Sequence, residues 1–184
     1  MTRIPVPALD EIPTESKELL EWIMQTPLTG KVLNMQAQLA VAPATLEGYV
    51  ALRRTSEEHG TLDPKTRTAV LAMSGAALGA PYVERLTARI ASGAGWQPDE
   101  IVRFTEGLGS GDEKLDSLLG VVGDACKKLG LVEDATWERA AHNGWTTKQL
   151  TESFAYFSIA FYTAYFTNTA ATELDVPSVL PTEA

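Results

Sequence analysis

One cysteine, Cys126, and two histidines, His59 and His142, are all that this chain of 184 residues has of thiols and imidazoles. A lone thiol closes no intrachain disulfide, forms no Cys-x-x-Cys redox pair and builds no structural zinc site. His-x-x-x-His is missing and the carboxylates are scattered over solvated helix faces, so no metal is expected. Basic residues are also short, 15 against 24 acidic for a net charge of −9. That balance works against capture of nucleic acid or an anionic membrane surface, and neither is expected as a partner. No glycine-rich phosphate loop is present. Gly107-Leu108-Gly109-Ser110-Gly111 reads as a flexible connector, and no cofactor is expected. Period-2 alternation, the mark of a half-buried strand, occurs nowhere. Met1 is not followed by a basic-plus-apolar leader, which gives a cytoplasmic address as the expectation.

What the chain has is helical punctuation on an ordinary globular composition, 45% hydrophobic and 21% charged. Its length suits one domain with a proper core. Pro5, Pro7, Pro13 and Pro27 interrupt residues 1–30, which read as an N-terminal arm around one short amphipathic helix at 14–25. Residues 31–177 read as the helical domain and 178–184 as a tail. Pro43 opens a helix that Gly60 closes, and Asp63 caps another with Pro64 at its first position. Gly79 and Pro81 mark a break, Gly95 an end, and Pro98-Asp99-Glu100 an acidic first turn. Asp112, Gly130, Asp134 and Gly144 continue the alternation. Thr146 with Gln149 is a capping box that starts the longest helix, to about Thr172. The fold class is therefore all-α, a bundle of about seven or eight helices.

Shifted by 49 positions, the chain resembles itself: Asp63 meets Asp112, Lys65 meets Lys114, Gly95-Trp96 meets Gly144-Trp145, and Glu100-Ile101 meets Gln149-Leu150. Apolar positions coincide between them, as Val70 with Leu119 and Met73 with Val122. This is a degenerate helical repeat, two helices, a Gly-Trp turn and a third helix in each unit. Residues 153–172 carry no formal charge and hold seven of the fourteen aromatic side chains. Ser153, Ser158, Thr163, Thr167 and Asn168 keep the stretch short of a membrane span, and no basic cluster flanks it. A helix of this kind belongs at a bundle centre or a subunit interface. Phe154, Phe157, Phe161 and Tyr165 recur at helical spacing while Tyr156, Tyr162 and Phe166 occupy other faces, so a homo-oligomer is expected.

Leu62-Asp63-Pro64-Lys65-Thr66-Arg67, then Ala76-Ala77-Leu78-Gly79-Ala80-Pro81-Tyr82, then Ala91-Ser92-Gly93-Ala94-Gly95 resembles the carboxymuconolactone decarboxylase and alkylhydroperoxidase D superfamily. Phe166-Thr167-Asn168 and Leu174-Asp175-Val176-Pro177 are similar to the tail of its peroxidase-related branch, so the resemblance covers about residues 33–177. It implies an alkylhydroperoxidase D-like helical fold and commonly an oligomer. The superfamily's Cys-x-x-Cys-x-x-x-His with its upstream Glu, which drives disulfide exchange, corresponds here to Ala80, Val83, Thr87 and Thr68. The decarboxylase branch's histidine also falls at Thr87. Neither chemistry carries over, and Cys126, in an apolar context some fifty residues on, reads as a small core residue.

The candidates that remain are few. Arg67 sits near the pocket-forming helix, where a guanidinium holds a carboxylate bidentately. Tyr82 is the candidate to orient a ligand or move a proton beside it, and Glu84 the one nearby carboxylate able to act as a base. Arg85 and Arg89, one turn apart, repel each other mildly; an anionic ligand or an ion pair with Glu84, Asp99 or a second subunit compensates. Thr87 completes a ligand-binding set of Arg67, Tyr82, Arg85 and Thr87. His59 and His142 lie at helix ends, where the dipole alone accounts for them. Three functions follow: a non-redox enzyme or binding protein for a small organic, carboxylate-bearing molecule; an inactive oligomeric scaffold or partner subunit; and an atypical peroxidase of the alkylhydroperoxidase kind. A polar-tipped pocket favours the first, and a pocket filled by Val83 and Leu86 the second.

Overall fold

The computed structural model describes residues 2–25 and 30–180, and among these it contains nine α-helices and no strand. In chain order they are α1 (Thr14–Gln25), α2 (Asn34–Leu39), α3 (Pro43–His59), α4 (Pro64–Leu78), α5 (Pro81–Gly93), α6 (Pro98–Thr105), α7 (Glu113–Lys127), α8 (Asp134–His142) and α9 (Thr147–Ala170). Short α2, between the arm and Pro43, is the helix that the punctuation does not announce. Pro27 and residues 181–184 of the expected tail lie outside the described residues.

The helix starts are local chemistry. Asp63 accepts from Thr66 N at 3.1 Å and Asp112 from Lys114 N at 2.9 Å, each satisfying an orphan amide of the first turn. Thr146 Oγ1 accepts from Gln149 N while Gln149 Oε1 accepts from Thr146 N, the reciprocal capping box. Pro43, Pro64, Pro81 and Pro98 each stand in a first turn, where a missing N–H costs nothing. Gly79 ends α4 at φ 58°, ψ 34°, the left-handed cap that glycine adopts without strain.

Helix α4 is the axis of the bundle, packed against α5, α7 and α9. It is buried on most of its circumference, with Thr66, Thr68, Ala69, Val70, Ala72, Met73, Ser74 and Gly75 all inside. Small side chains let the neighbours approach: a Cβ on Gly75 would run into Thr87 Oγ1 of α5, and one on Gly123 of α7 would lie 2.7 Å from Met73 Cε. Leu118 and Val122 of α7 and Ile101 of α6 are essentially inaccessible in the same core, each such side chain contributing about 1.5–3 kcal/mol of burial. Cys126 belongs to this core too; burial pushes its thiol pKa up, with Ser74 as a hydrogen-bonding neighbour pulling the other way.

The arm is more tightly held than its prolines suggest. Ile12, Leu20 and Ile23 are buried in a second core with Leu33, Met35, Leu46, Tyr82 and Val176. Arg3 N donates to Ala170 O at 2.8 Å, and Gln38 Nε2 donates to Ile4 O. The prolines shape a strap whose apolar side chains cover the α2–α3 face. In the tail, Val179 and Leu180 pack against the first core.

The repeat is visible as contacts. Trp96 Nε1 donates to Lys65 O at 3.0 Å, and 49 positions on Trp145 Nε1 donates to Lys114 O at 2.6 Å. Lys65 Nζ stands 4.5 Å from the Trp96 ring centroid and Lys114 Nζ 4.8 Å from that of Trp145. Each Gly-Trp turn, with Gly95 at φ 94° and Gly144 at φ 86°, thus clamps back onto the start of the first helix of its unit. Among the described residues no helix is long and apolar enough to cross a membrane. Tyr156 and Tyr162 of α9 point inward, while Phe154 and Tyr165 are 61% and 60% exposed.

Candidate functional site

Five helices line a cavity of about 560 Å³, α1 through Gln25 at its end. Helix α3 supplies Tyr49, Arg53, Ser56 and Glu57; α4 supplies Arg67, Thr68 and Leu71; α5 supplies Val83, Leu86, Thr87 and Ile90; α9 supplies Tyr156, Ile159, Ala160 and Thr163. The walls are mostly aliphatic, and the charged groups are Arg67 and the ion-paired Arg53 and Glu57. Thr68, Val83 and Thr87, three of the positions corresponding to the thiol, imidazole and glutamate of the superfamily, all face this space. The fourth, Ala80, is buried beside Val83, Ala160 and Ala164. Val83 and Leu86 line the cavity without filling it.

The threonine hydroxyls are spent on their own helices. Thr87 Oγ1 donates to Val83 O at 2.8 Å and Thr68 Oγ1 to Pro64 O at 2.8 Å, leaving mainly methyl surface for a ligand. Arg53 is held by three neighbours. Its guanidinium lies over the Trp22 ring at 5.4 Å and the Tyr49 ring at 5.8 Å, and Nη2 is 3.2 Å from Glu57 Oε1. Burial works against its charge, but Tyr49 and the Glu57 carboxylate outweigh that and raise its pKa further. This guanidinium stays cationic.

Tyr156 is tied into a polar knot at the Arg67 end. Its hydroxyl donates toward Ser56 O or Glu152 Oε1, each at 3.2 Å. Glu152 in turn accepts from Thr61 N at 2.7 Å, Thr61 Oγ1 at 2.5 Å and Leu62 N at 2.9 Å. Burial opposes ionisation of Glu152, yet these hydrogen bonds win and hold its carboxyl below the ordinary value. Burial and the Glu152 charge push the Tyr156 phenol up, with the Arg67 guanidinium pulling the other way. At neutral pH the arrangement presents a neutral phenol whose one hydrogen is spent on Ser56 O or Glu152, beside the Arg67 cation, so charge for an anion comes from the guanidinium.

The expected set is only partly brought together. Arg67 and Thr87 line the cavity; Tyr82, Glu84 and Arg85 do not. Tyr82 is buried beyond the edge of the cavity, in the second core, where its hydroxyl donates to Asp175 Oδ1 at 2.7 Å and lies 3.5 Å from Met35 N. Burial, followed by the Asp175 carboxylate, drives its phenol far above the ordinary range. It is a tether between α5, α2 and the C-terminal segment, the reason being helical phase: Val83 and Thr87 share a face of α5 that Tyr82 does not. Glu84 and Arg85 are exposed. His59 and His142 are exposed at helix ends, and Cys126 is in the other core, outside this cavity. Among the described residues no three His, Cys, Asp or Glu side chains lie close enough to hold a metal ion. Arg53 and Tyr156 are the residues that sequence reasoning missed. The only signal was a phenol and an arginine on otherwise helical, amphipathic stretches, which does not distinguish them from surface or core residues.

No protein-family model matches the chain, and no curated protein sequence is similar to it. Solved structures are similar throughout their length. A cysteine-to-alanine variant of the debrominase Bmp8 in complex with 2,3,4-tribromopyrrole superposes with a TM-score of 0.80 at 13% identity, over 97% of this chain and 93% of that one. The alkylhydroperoxidase AhpD core of an uncharacterized peroxidase-related protein from Ralstonia eutropha gives 0.81 at 18% identity, over 95% and 92%. A peroxidase-related protein from Silicibacter sp. gives 0.79 at 14%, over 94% and 91%. With 94–97% of the chain covered in these superpositions, the chain has the alkylhydroperoxidase D-like helical fold that residues 62–95 and the C-terminal segment suggest.

Proposed function

We propose that this chain is a non-redox enzyme or binding protein for a small organic anion, a carboxylate on an apolar or aromatic body. The observation that carries the reading is Arg67, beside the Glu57-paired Arg53, opening on an aliphatic cavity whose thiol and imidazole positions hold Val83 and Thr87. A volume of about 560 Å³ suits a compact molecule. Bmp8, of the same fold, is seen with a small brominated pyrrole, which accords with a compact aromatic ligand. Arg67 supplies charge, with Tyr156 and Glu152 fixing the polar end beside it, and the aliphatic walls supply shape. The aromatic ladder of α9, in which the Phe154 and Phe157 rings meet edge to face at 4.9 Å and the Phe161 and Tyr165 rings stack at 5.7 Å, is the face on which identical subunits meet.

The scaffold reading has less support, because Val83 and Leu86 leave the cavity open. The peroxidase reading has less still, because Cys126 is buried away from the cavity. Native mass spectrometry of the purified protein identifies a retained or captured ligand. Arg67→Ala is then expected to weaken it by about 1.5–3 kcal/mol, the worth of a charged hydrogen bond. Thr87→Trp is expected to block it by filling the space. Parental affinity in both variants puts the site elsewhere and makes the scaffold reading the better one.

A further inference from the structure

A second cleft, of about 610 Å³, lies where the starts of α4 and α7 come together, and it shares no lining residue with the arginine cavity. Both Lys-Trp clamps of the repeat open on it, Lys65 with Trp96 and Lys114 with Trp145. The ring nitrogen is bonded to that lysine's own backbone carbonyl, which sets the ring, and the ring face draws in the exposed ammonium, so two normally mobile side chains are biased toward the cleft. A ligand that uses them is spared much of the rotamer entropy that free lysines would lose.

Neither ammonium has a carboxylate within ion-pair distance among the described residues, although the chain carries 24 acidic side chains. Asp63 and Asp112 also line the cleft, but both are engaged as helix caps. Asp63 takes the Thr66 amide and the Thr66 hydroxyl, and Asp112 takes the amides of Lys114 and Leu115. Ser110 and Gln149 add uncharged polar groups to the lining.

We propose that this cleft is a binding site for a short organic dianion, a dicarboxylate that places one carboxylate on Lys65 and the other on Lys114. The duplicated geometry argues for two equivalent charges on the ligand rather than one. The occupant is recognised by charge at both ends and by little else, since the cleft offers few apolar walls beyond Leu62, Leu115 and the indole edges.

The test is a titration with succinate, followed by the indole N–H signals of the four tryptophans in NMR, against acetate at matched ionic strength. Trp96 and Trp145 are expected to shift together on one saturable curve while Trp137 stays still, a shift of Trp22 alone reporting the arginine cavity and not this cleft. Lys65→Met and Lys114→Met are each expected to weaken succinate by about tenfold, as for loss of one charged contact, and to leave the Trp22 and Trp137 signals in place as evidence of folding. Lys65→Arg and Lys114→Arg, which keep the charge, are expected to retain most of the affinity. Shifts that never saturate, that acetate reproduces, that involve only one of the two indoles, or that persist in the double methionine variant overturn the proposal.

Discussion

Replacing Tyr82 by Phe separates the two roles that this residue can be given. The ring is 3% exposed, so Phe keeps its packing and loses the hydroxyl alone. That hydroxyl donates to Asp175 Oδ1 at 2.7 Å, while Asp175 Oδ2 accepts from Asn34 N at 3.0 Å and lies 3.4 Å from Lys31 Nζ. A hydrogen bond to a charged acceptor contributes about 1.5–3 kcal/mol. The Asp175 side chain is only 13% exposed, so water replaces the phenol poorly, but two donors remain to it. The expected loss is therefore about 2 kcal/mol, near the lower part of that range. For a chain of this size it lowers Tm by about 4–8 °C. The assay is thermal or urea unfolding of Tyr82→Phe, Asp175→Asn and the double variant. A coupling energy of about 1 kcal/mol or more is expected, because the two groups touch. The carboxylate ligand of the arginine cavity should bind Tyr82→Phe as it binds the parent. A variant that melts with the parent, or two substitutions that simply add, refutes the tether; lost ligand affinity at parental stability restores Tyr82 to the site.

Glu152→Ala removes the acceptor for Thr61 N, Thr61 Oγ1, Leu62 N and Tyr156, and is expected to cost about 1–3 kcal/mol in urea unfolding near neutral pH. Because the folded carboxyl titrates below its ordinary value, this contribution is complete above the ordinary carboxylate range and is lost as pH falls through the lower folded value. A gap between parent and variant that stays constant into acid contradicts the assignment. Light scattering is expected to give a mass above the 19.9 kDa of one chain, and Phe154→Asp with Tyr165→Asp is expected to reduce it to one; a monomeric parent at micromolar concentration removes the α9 interface.

Element positions were legible because they are set by residues within a few places of one another. Asp63, Asp112 and Thr146 cap the helices that they were expected to cap, Pro64 and Pro98 stand at first turns, and Gly79 supplies a left-handed stop. The 49-residue repeat was legible for the same reason, since each Trp reaches a carbonyl 31 positions back through one short, self-contained unit. Arg67 and Thr87 could be placed from the resemblance, which carries the phase of α4 and α5 relative to their shared turn.

Tertiary packing alone decided the rest. Arg53 and Tyr156 are 103 positions apart and meet at one cavity because α3 and α9 pack side by side, a proximity that no local spacing encodes. Tyr82 and Val83 are neighbours in sequence, yet about 100° of helical turn sends one toward Asp175 and the other toward the cavity. The arm's prolines correctly exclude a long helix, but whether its apolar side chains are covered depends on what stands opposite them. Ile12, Leu20 and Ile23 are core residues because Leu33, Leu46 and Val176 are there to receive them. Sequence therefore determined where the chain turns and which units repeat, through short-range caps and steric limits. Which polar groups face a common space was determined only when helices distant along the chain closed around it.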